Sequence, residues 1–239
     1  MAKKAIIIGA TSGIGKELAK VVSQNNYIVG LAGRRTQLLD ELKEELPGDS
    51  FTKYIDVAKP DEAINHLNEL IAEMGDVDLI ILSSGVGFIN HDLDWAKEKE
   101  TIDVNVAGFA IMANVAMHHF LLKGSGHLVG ISSIAAIRGD DTAPAYNASK
   151  AFISNYLAGL RKKISKAGLP IVVTDVQPGF VDTAMAKGDG LFWVASPQKA
   201  AQQIYKAIKK KKKHVYVTKR WKLIGWLMKT MPEFIYNRM

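Results

Sequence analysis

The sequence predicts an α/β fold: a single domain built on a doubly wound parallel sheet with helices on both faces. Short apolar runs typical of buried strands alternate with longer helical patterns along the whole chain, as successive βαβ units require. No repeat or polar linker divides the sequence. Its 239 residues, 48% of them hydrophobic, suffice to bury one large core.

The first predicted strand contains the continuous apolar run from Ala5 to Ile8, as expected of a parallel strand that is buried on both faces. The helix after it places Leu18, Ala19 and Val22 on one side. The same alternation continues to the last strand. The predicted strands are 5–9, 27–32, 51–55, 78–83, 126–131, 171–176 and 214–217. The predicted helices are 13–25, 36–46, 60–74, 94–123, 142–167, 197–210 and 220–230.

A glycine-rich turn joins the first strand to the first helix. Glycine lets the backbone approach a pyrophosphate, and the free N–H groups at a helix start bind the anion. The spacing G-x-x-x-G-x-G excludes a P-loop and differs from the G-x-G-x-x-G fingerprint of other dinucleotide sites. We interpret the turn as a phosphate site rather than an ordinary connection. Its candidate ligands are Gly9, Thr11, Ser12, Gly13, Ile14 and Gly15.

Tyr146 and Lys150 are four residues apart in a predicted helix, so their side chains share one face, one turn apart. A phenol has a pKa of about 10, and a neighbouring ammonium is expected to lower it toward the working range. Such a pair suits proton transfer to or from a carbonyl or alcohol oxygen. Taken without the glycine-rich turn, the same spacing is more typical of a solvated helix face.

The variant glycine spacing, followed far downstream by Tyr-x-x-x-Lys, resembles the short-chain dehydrogenase/reductase family over roughly residues 3–218. The resemblance implies a Rossmann-like fold and a catalytic tetrad of Asn105, Ser133, Tyr146 and Lys150. It implies further cofactor contacts from Asp56, Val57, Gly85, Tyr146, Lys150, Pro178, Gly179, Val181 and Thr183. The sequence departs from the family at Ser83 and Ser84, where the family carries asparagines that brace the central sheet.

The resemblance also implies a role for each member of the tetrad. Tyr146 would donate a proton to a carbonyl oxygen or remove one from an alcohol. Lys150 would lower the pKa of Tyr146 and hold the nicotinamide ribose, while Ser133 would stabilise charge on the substrate oxygen. Asn105 would connect Lys150 to solvent through water. The hydride itself belongs to the cofactor.

The end of the second strand favours NADP over NAD. An NAD site needs an acidic residue for the ribose hydroxyls, and the nearest acid here is Asp40, inside the next helix. Gly33 takes the place of that acid, and Arg34 and Arg35 follow it. Two guanidinium groups suit a 2′-phosphate, with Arg34 as its main ligand by resemblance. The alternative is that both arginines are solvated turn residues.

The predicted substrate is an apolar small molecule, because most candidate lining residues are apolar. These are Val86 to His91, Ile134 to Arg138, Pro144, Met185 and Leu191 to Trp193, with Arg138, His91 and Asp140 as candidate polar selectors. Glycines and other small residues lie among bulky ones over 184–195, which predicts a mobile lid that orders on binding. No metal site is expected, because cysteine is absent and the six histidines lack metal-ligand spacing.

The C-terminal residues 219–239 form a basic, amphipathic extension of the domain at 1–218. Five consecutive lysines, Lys209 to Lys213, precede it, and together they account for much of the net charge of +7. Three interpretations remain open: a helix packed on the domain or on a partner subunit, a helix lying on an anionic membrane, and a nucleic-acid contact. The last is the weakest, because no nucleic-acid motif accompanies the charge.

Three functions are therefore considered. The first is an NADP-dependent carbonyl/alcohol oxidoreductase of the cytoplasm. The second is a nucleotide-binding regulator without catalysis, which would not need the intact tetrad. The third is a peripheral membrane or interaction protein that acts through the basic tail. The resemblance also implies a homodimer or homotetramer formed through the helices at 94–123 and 142–167.

Overall fold

The computed structural model describes residues 2–185, 192–236 and 238. These residues form a seven-stranded sheet of order β3-β2-β1-β4-β5-β6-β7, in which every neighbouring pair is parallel. The strands are β1 Lys3–Ile8, β2 Tyr27–Gly33, β3 Ser50–Tyr54, β4 Leu79–Leu82, β5 Gly126–Ile131, β6 Ile171–Pro178 and β7 His214–Val217. The order reverses between β1 and β4, so the carboxyl ends of these two strands frame a ligand crevice.

Helices cover both faces of the sheet. They are α1 Gly13–Ser23, α2 Thr36–Glu45, α3 Pro60–Met74, α4 Trp95–Ile102, α5 Phe109–Lys123, α6 Pro144–Ala167, α7 Pro197–Lys209, α8 Trp221–Thr230 and α9 Glu233–Tyr236. A π-helical segment, Asp103–Gly108, joins α4 to α5, and a 3₁₀ turn, Ile134–Ala136, follows β5. The predicted fold class is confirmed, and the predicted strands and helices all lie where the sequence pattern placed them.

Side chains of the central strands alternate between two apolar cores. In β1, Ile6 and Ile8 pack with residues of α3, α5 and α6, whereas Ala5 and Ile7 pack with residues of α1, α2 and α7. All four side chains are almost fully buried. Burial on both faces explains why the strands are continuous apolar runs rather than alternating ones.

The predicted helix at 94–123 is interrupted where the π-helical segment inserts. Inside it, Gly108 packs against the backbone of Val57, and a Cβ on Gly108 would lie 2.7 Å from the Val57 carbonyl oxygen. Residues 95–123 are together long and apolar enough to span a membrane, but 56% of the most apolar stretch is buried in the fold, as in the core helix of a globular domain. The extra residue of a π bulge rotates the side chains around it away from the directions that a regular α-helix would give them.

The buried His127 of β5 should make stability depend on pH. Its ring accepts from or donates to the Thr174 hydroxyl at 2.8 Å, and burial lowers the pKa of His127 to about 4. The unfolded chain binds a proton near pH 6.5 and the folded chain does not, so the free energy of unfolding falls as pH drops from about 6.5 toward 4. We expect a loss of about 2 kcal/mol between pH 7 and pH 5.

Urea unfolding of wild type and His127→Gln at both pH values measures this difference. The variant should lose that part of the pH dependence, whereas the exposed His118→Gln should keep it. Equal pH dependence in wild type and His127→Gln would contradict the account.

Candidate active site

The glycine-rich turn between β1 and α1 is held in a shape that only glycine fits. Gly9 has φ +90°, and a Cβ there would lie 2.5 Å from the Ser84 backbone nitrogen. A Cβ on Gly15 would lie 2.1 Å from the Gly9 carbonyl oxygen. The loop is therefore packed tightly on the end of β4, and Ser83 and Ser84 occupy the space where the related family carries asparagines.

The side chain of Arg35, which follows β2, forms hydrogen bonds with the same loop. The Arg35 guanidinium donates to the Thr11 hydroxyl at 2.5 Å and to the Ser12 hydroxyl at 2.9 Å. Ser12 precedes the first turn of α1 but does not cap it with its side chain, so the N–H groups of Gly13, Ile14 and Gly15 at the helix start are available to a ligand. These donors and the absence of an acid in that turn fit the pyrophosphate of a dinucleotide.

The predicted nicotinamide-side residues lie on the loop after β6, opposite the phosphate loop. A Cβ on Gly13 would lie 3.1 Å from the Thr183 methyl group, so the two loops face each other across a narrow crevice. Val181 is buried and forms a parallel bridge with Ala195. The Gly179 N–H donates to the Val217 carbonyl at 2.6 Å, and Pro178 ends β6.

Tyr146 and Lys150 lie in the first two turns of α6, as predicted. Lys150 is 4% exposed, its Nζ lies 5.5 Å from the Tyr146 ring centre, and it donates to the Ile131 carbonyl at 3.3 Å. Burial lowers the pKa of Lys150 to about 8, and the charge of Asp175 opposes that shift.

The prediction that the pKa of Tyr146 is lowered is wrong for the protein alone. Burial raises the pKa of Tyr146, and a hydrogen bond with Ser133 acts weakly in the other direction. Loss of solvent around the ring disfavours the charged phenolate and outweighs the hydrogen bond from Ser133. The phenol is therefore protonated at neutral pH.

Ser133 and Asn105 bring two further elements to the same place. Ser133 caps the 3₁₀ turn by accepting from the Ala135 N–H at 3.1 Å, and its hydroxyl lies 3.5 Å from the Pro178 carbonyl. Asn105, fully buried in the π-helical segment, accepts from the Val86 N–H at 2.9 Å. Its amide donates to the Val86 carbonyl at 2.8 Å and to the Ser149 hydroxyl at 3.0 Å. Asn105 thus ties the chain after β4 to the helix that carries Lys150.

The remaining predicted cofactor contacts lie in two regions of the structure, one beside the tetrad and one after β3. Gly85 adjoins the tetrad, because a Cβ there would lie 3.2 Å from Asn105 Oδ1 and 3.4 Å from Lys150 Nζ. Asp56 and Val57 follow β3, where the Asp56 carboxylate accepts from the Ala58 N–H at 3.1 Å. They lie at the carboxyl end of β3, the edge strand next to β2.

Sequence analysis missed one buried carboxylate, Asp175 of β6. It is fully buried and accepts from the Ser132 and Ser154 hydroxyls, each at 2.5 Å. His214 Nε2 lies 3.8 Å from it. Ser132 precedes Ser133, and Ser154 lies one turn after Lys150, so Asp175 joins the segment that carries Ser133 to the helix that carries Tyr146 and Lys150. A lone acid within the apolar strand 171–178 was the signal that could have found it.

Some of the predicted substrate-lining residues are engaged elsewhere or lie outside the described residues. Arg138 does not face an open pocket, because its guanidinium donates to the carbonyls of Met228 and Met231 at 3.0 and 2.5 Å. His91 and Asp140 are exposed. Gly87 adjoins the chemistry, since a Cβ there would lie 2.9 Å from the Tyr146 ring and 3.3 Å from Met185. Leu191 and residues 186–190 of the predicted lid lie outside the described residues.

Fold and site together define an α/β protein in which a glycine-rich loop and a Tyr-Lys pair lie at the carboxyl edge of a parallel, doubly wound sheet. The chain belongs to the short-chain dehydrogenase family, whose sequence profile matches residues 3–191. An uncharacterized oxidoreductase of Myxococcus xanthus is 35% identical over 188 residues, which cover 77% of this chain and 74% of the relative. An uncharacterized oxidoreductase of Staphylococcus epidermidis is 30% identical over 188 residues, with 78% and 81% covered. The chain is thus a carbonyl/alcohol oxidoreductase of this family.

Solved structures share the fold at low identity. An alcohol dehydrogenase from Thermococcus sibiricus, complexed with 5-hydroxy-NADP, superposes with a TM-score of 0.79 at 21% identity over 90% of this chain and 95% of that one. A short chain dehydrogenase/reductase from Burkholderia phymatum, in complex with NAD, gives 0.85 at 19% identity over 95% and 92%. The two hold different dinucleotides, so the likeness leaves the preferred cofactor of this chain open.

Replacing Asp175 with asparagine should destabilise the fold. The change removes a buried negative charge that accepts two short hydrogen bonds, and leaves Lys150 with less compensation. We expect the free energy of unfolding in urea to fall by about 2–4 kcal/mol. The exposed Asp182→Asn is the matched control and should change it by less than about 0.5 kcal/mol. Equal values for the two variants would show that the Asp175 contacts contribute nothing.

Proposed function

We propose that this chain is an NADP-dependent oxidoreductase that interconverts a carbonyl and a secondary alcohol on an apolar small molecule, with Tyr146 as general acid/base. The observation that carries the proposal is the meeting of Tyr146, Lys150 and Ser133 at the carboxyl edge of the sheet, beside Gly85. Bound NADP would supply the hydride. The polypeptide supplies the proton and the position of the substrate oxygen.

Tyr146 is suited to the donor role. The phenol is protonated at neutral pH, so it has a proton to give to a carbonyl oxygen that gains negative charge, and the nearby Lys150 ammonium would stabilise the phenolate that remains. The Ser133 hydroxyl, hydrogen-bonded to the same phenol, would donate to that oxygen as well.

Lys150 would hold the nicotinamide ribose and steady the charge beside Tyr146. With a pKa of about 8, it is protonated at neutral pH, and Asp175 supports that state. Asn105 keeps Gly85 and Val86 against the lysine through hydrogen bonds to the Val86 backbone. In this proposal, protons also pass between Lys150 and solvent through water near Asn105.

The end of β2 supports NADP over NAD. Asp40, the nearest acid after this strand, accepts from the Thr52 hydroxyl at 3.0 Å and is held toward β3. Arg35 is fixed on the phosphate loop, and Arg34 is exposed beside it. Two guanidinium groups next to a loop that binds pyrophosphate would hold a 2′-phosphate with charge-assisted hydrogen bonds.

Fluorescence titration with NADPH and NADH tests the cofactor. Arg34→Ala should weaken NADPH binding on the order of 10- to 100-fold, the value of one or two charged hydrogen bonds, and leave NADH binding unchanged. Lys43→Ala removes the same charge from the exposed side of α2 and should change neither affinity. Equal weakening of both dinucleotides in Arg34→Ala would contradict the assignment to the 2′-phosphate.

A screen of apolar ketones and alcohols then tests the catalytic assignment. Tyr146→Phe should lower kcat on the order of 10²- to 10⁴-fold with little change in NADPH affinity, because it removes only the proton donor. Tyr156→Phe, on the same helix but stacked on Phe152, should keep wild-type turnover. If Tyr146→Phe turned over at the wild-type rate, the phenol would not be the acid.

We further propose that the chain is cytoplasmic and forms a homodimer or homotetramer through α5 and α6. A surface groove of about 440 Å³ lies along these helices and α3, and supports this assignment. Its lining residues are Ile64, Asn68, Ala110, Ile111, Asn114, Val115, His118 and Tyr156. Ala107 and Gly159 are exposed small residues available for close helix contact, whereas Gly108 is already buried against Val57.

A further inference from the structure

Positive charge is concentrated in the C-terminal seventh of the chain. Residues 206–239 contain 11 of the 31 lysines and arginines but one of the 24 acidic residues, Glu233. The 205 residues before them contain 20 basic and 23 acidic side chains. The body of the protein is therefore slightly negative, and its net charge of +7 arises from this one segment.

The C-terminal segment is fixed on the body by one side of α8. Trp221 is 3% exposed, and a Cβ on Gly225 would lie 2.9 Å from the Tyr216 ring and 3.1 Å from Ile137. Arg138 holds the last turn of α8 through two carbonyls, and the Tyr236 hydroxyl donates to the Gly139 carbonyl at 2.5 Å. These contacts determine which side of α8 faces outward.

The outward side carries large apolar residues. Leu223, Trp226 and Leu227 are 65%, 62% and 46% exposed, and Phe234 of α9 is 66% exposed. Exposed lysines, Lys222 and Lys229, flank them. A surface helix of a globular protein normally turns its apolar residues inward, and here a second apolar stripe faces out. We call the surface formed by Leu223, Trp226, Leu227, Phe234, Lys222 and Lys229 the tail face.

The tail face adjoins the mouth of the candidate active site. Trp221 stacks on Phe192 with ring centres 5.2 Å apart, and it meets Phe180 edge-on at the same distance. Arg220 lies over the Trp193 ring at 5.8 Å. Phe192 and Trp193 are themselves 46% and 43% exposed, so the apolar surface continues from the tail to the loop after β6.

We propose that the tail face docks this protein on the surface of an anionic lipid bilayer. Trp226, Leu223, Leu227 and Phe234 would enter the interfacial layer, and the surrounding lysines would lie among phosphate headgroups, the arrangement found in helices that lie on membranes. A second copy of this chain fits less well, because the lysines of two such faces would repel each other. Docking would hold the active-site mouth at the lipid surface, a consequence that rests on the proposed function.

Co-sedimentation of the full chain with lipid vesicles tests the docking. Wild type should bind vesicles made of equal parts phosphatidylcholine and phosphatidylglycerol, bind phosphatidylcholine vesicles far less, and lose binding as salt rises. The double variant Trp226→Gln/Leu227→Gln and the double variant Lys222→Glu/Lys229→Glu should each lower the partition coefficient on the order of 10-fold or more.

Matched controls lie outside the tail face. Leu122→Gln changes a side chain that is 90% exposed at the end of α5, and Lys162→Glu/Lys163→Glu changes exposed lysines of α6. Both should bind vesicles like wild type. If the controls lost binding equally, the effect would be one of overall charge or hydrophobicity, and the tail face would not be the docking surface.

Two other results would overturn the proposal. In the first, wild type does not bind vesicles, and light scattering gives a lower molar mass for Trp226→Gln/Leu227→Gln than for wild type. That result would mean that a second copy covers the face. Absence of vesicle binding with tight binding to duplex DNA would mean that the charge serves nucleic acid. NADPH titration of the same variants separates this claim from the proposed function, because the tail-face substitutions should leave cofactor affinity unchanged.

Discussion

The burial of both faces of the parallel sheet is the constraint on which the rest of this structure depends. Because α3, α5 and α6 cover one face and α1, α2 and α7 the other, the central strands are mostly apolar, and their few polar side chains are hydrogen-bonded. Polar chemistry is then confined to the carboxyl ends of the strands, where loops and helix starts meet. The glycine-rich turn, Ser133 and the start of α6 all lie at that edge.

Two buried polar side chains fix the positions of the loops at this edge. Asn105 joins the chain after β4 to α6, and Asp175 joins the end of β5 to α6. Both act on the helix that carries Tyr146 and Lys150, so the pair is fixed from two sides. The C-terminal tail adds a third restraint, because Arg138 and Trp221 attach it to the loops after β5 and β6.

Sequence could predict the fold and most of the candidate site because the evidence for them is local. The apolar run before Gly9 and the four-residue spacing of Tyr146 and Lys150 are visible without a structure. The raised pKa of Tyr146 could not be predicted, since it depends on how much protein surrounds the ring. The π-helical segment, the Asp175 contacts and the engagement of Arg138 by the tail likewise depend on residues far apart in the chain.

The central claim is that one crevice joins a phosphate loop, a 2′-phosphate site and a proton donor. A crystal structure of the protein grown with NADP tests it most directly. The account predicts the pyrophosphate at the N–H groups of Gly13 to Gly15, the 2′-phosphate against Arg34 and Arg35, and the nicotinamide ribose beside Tyr146 and Lys150. A dinucleotide bound elsewhere, or one whose nicotinamide end lies away from Tyr146, would contradict the account.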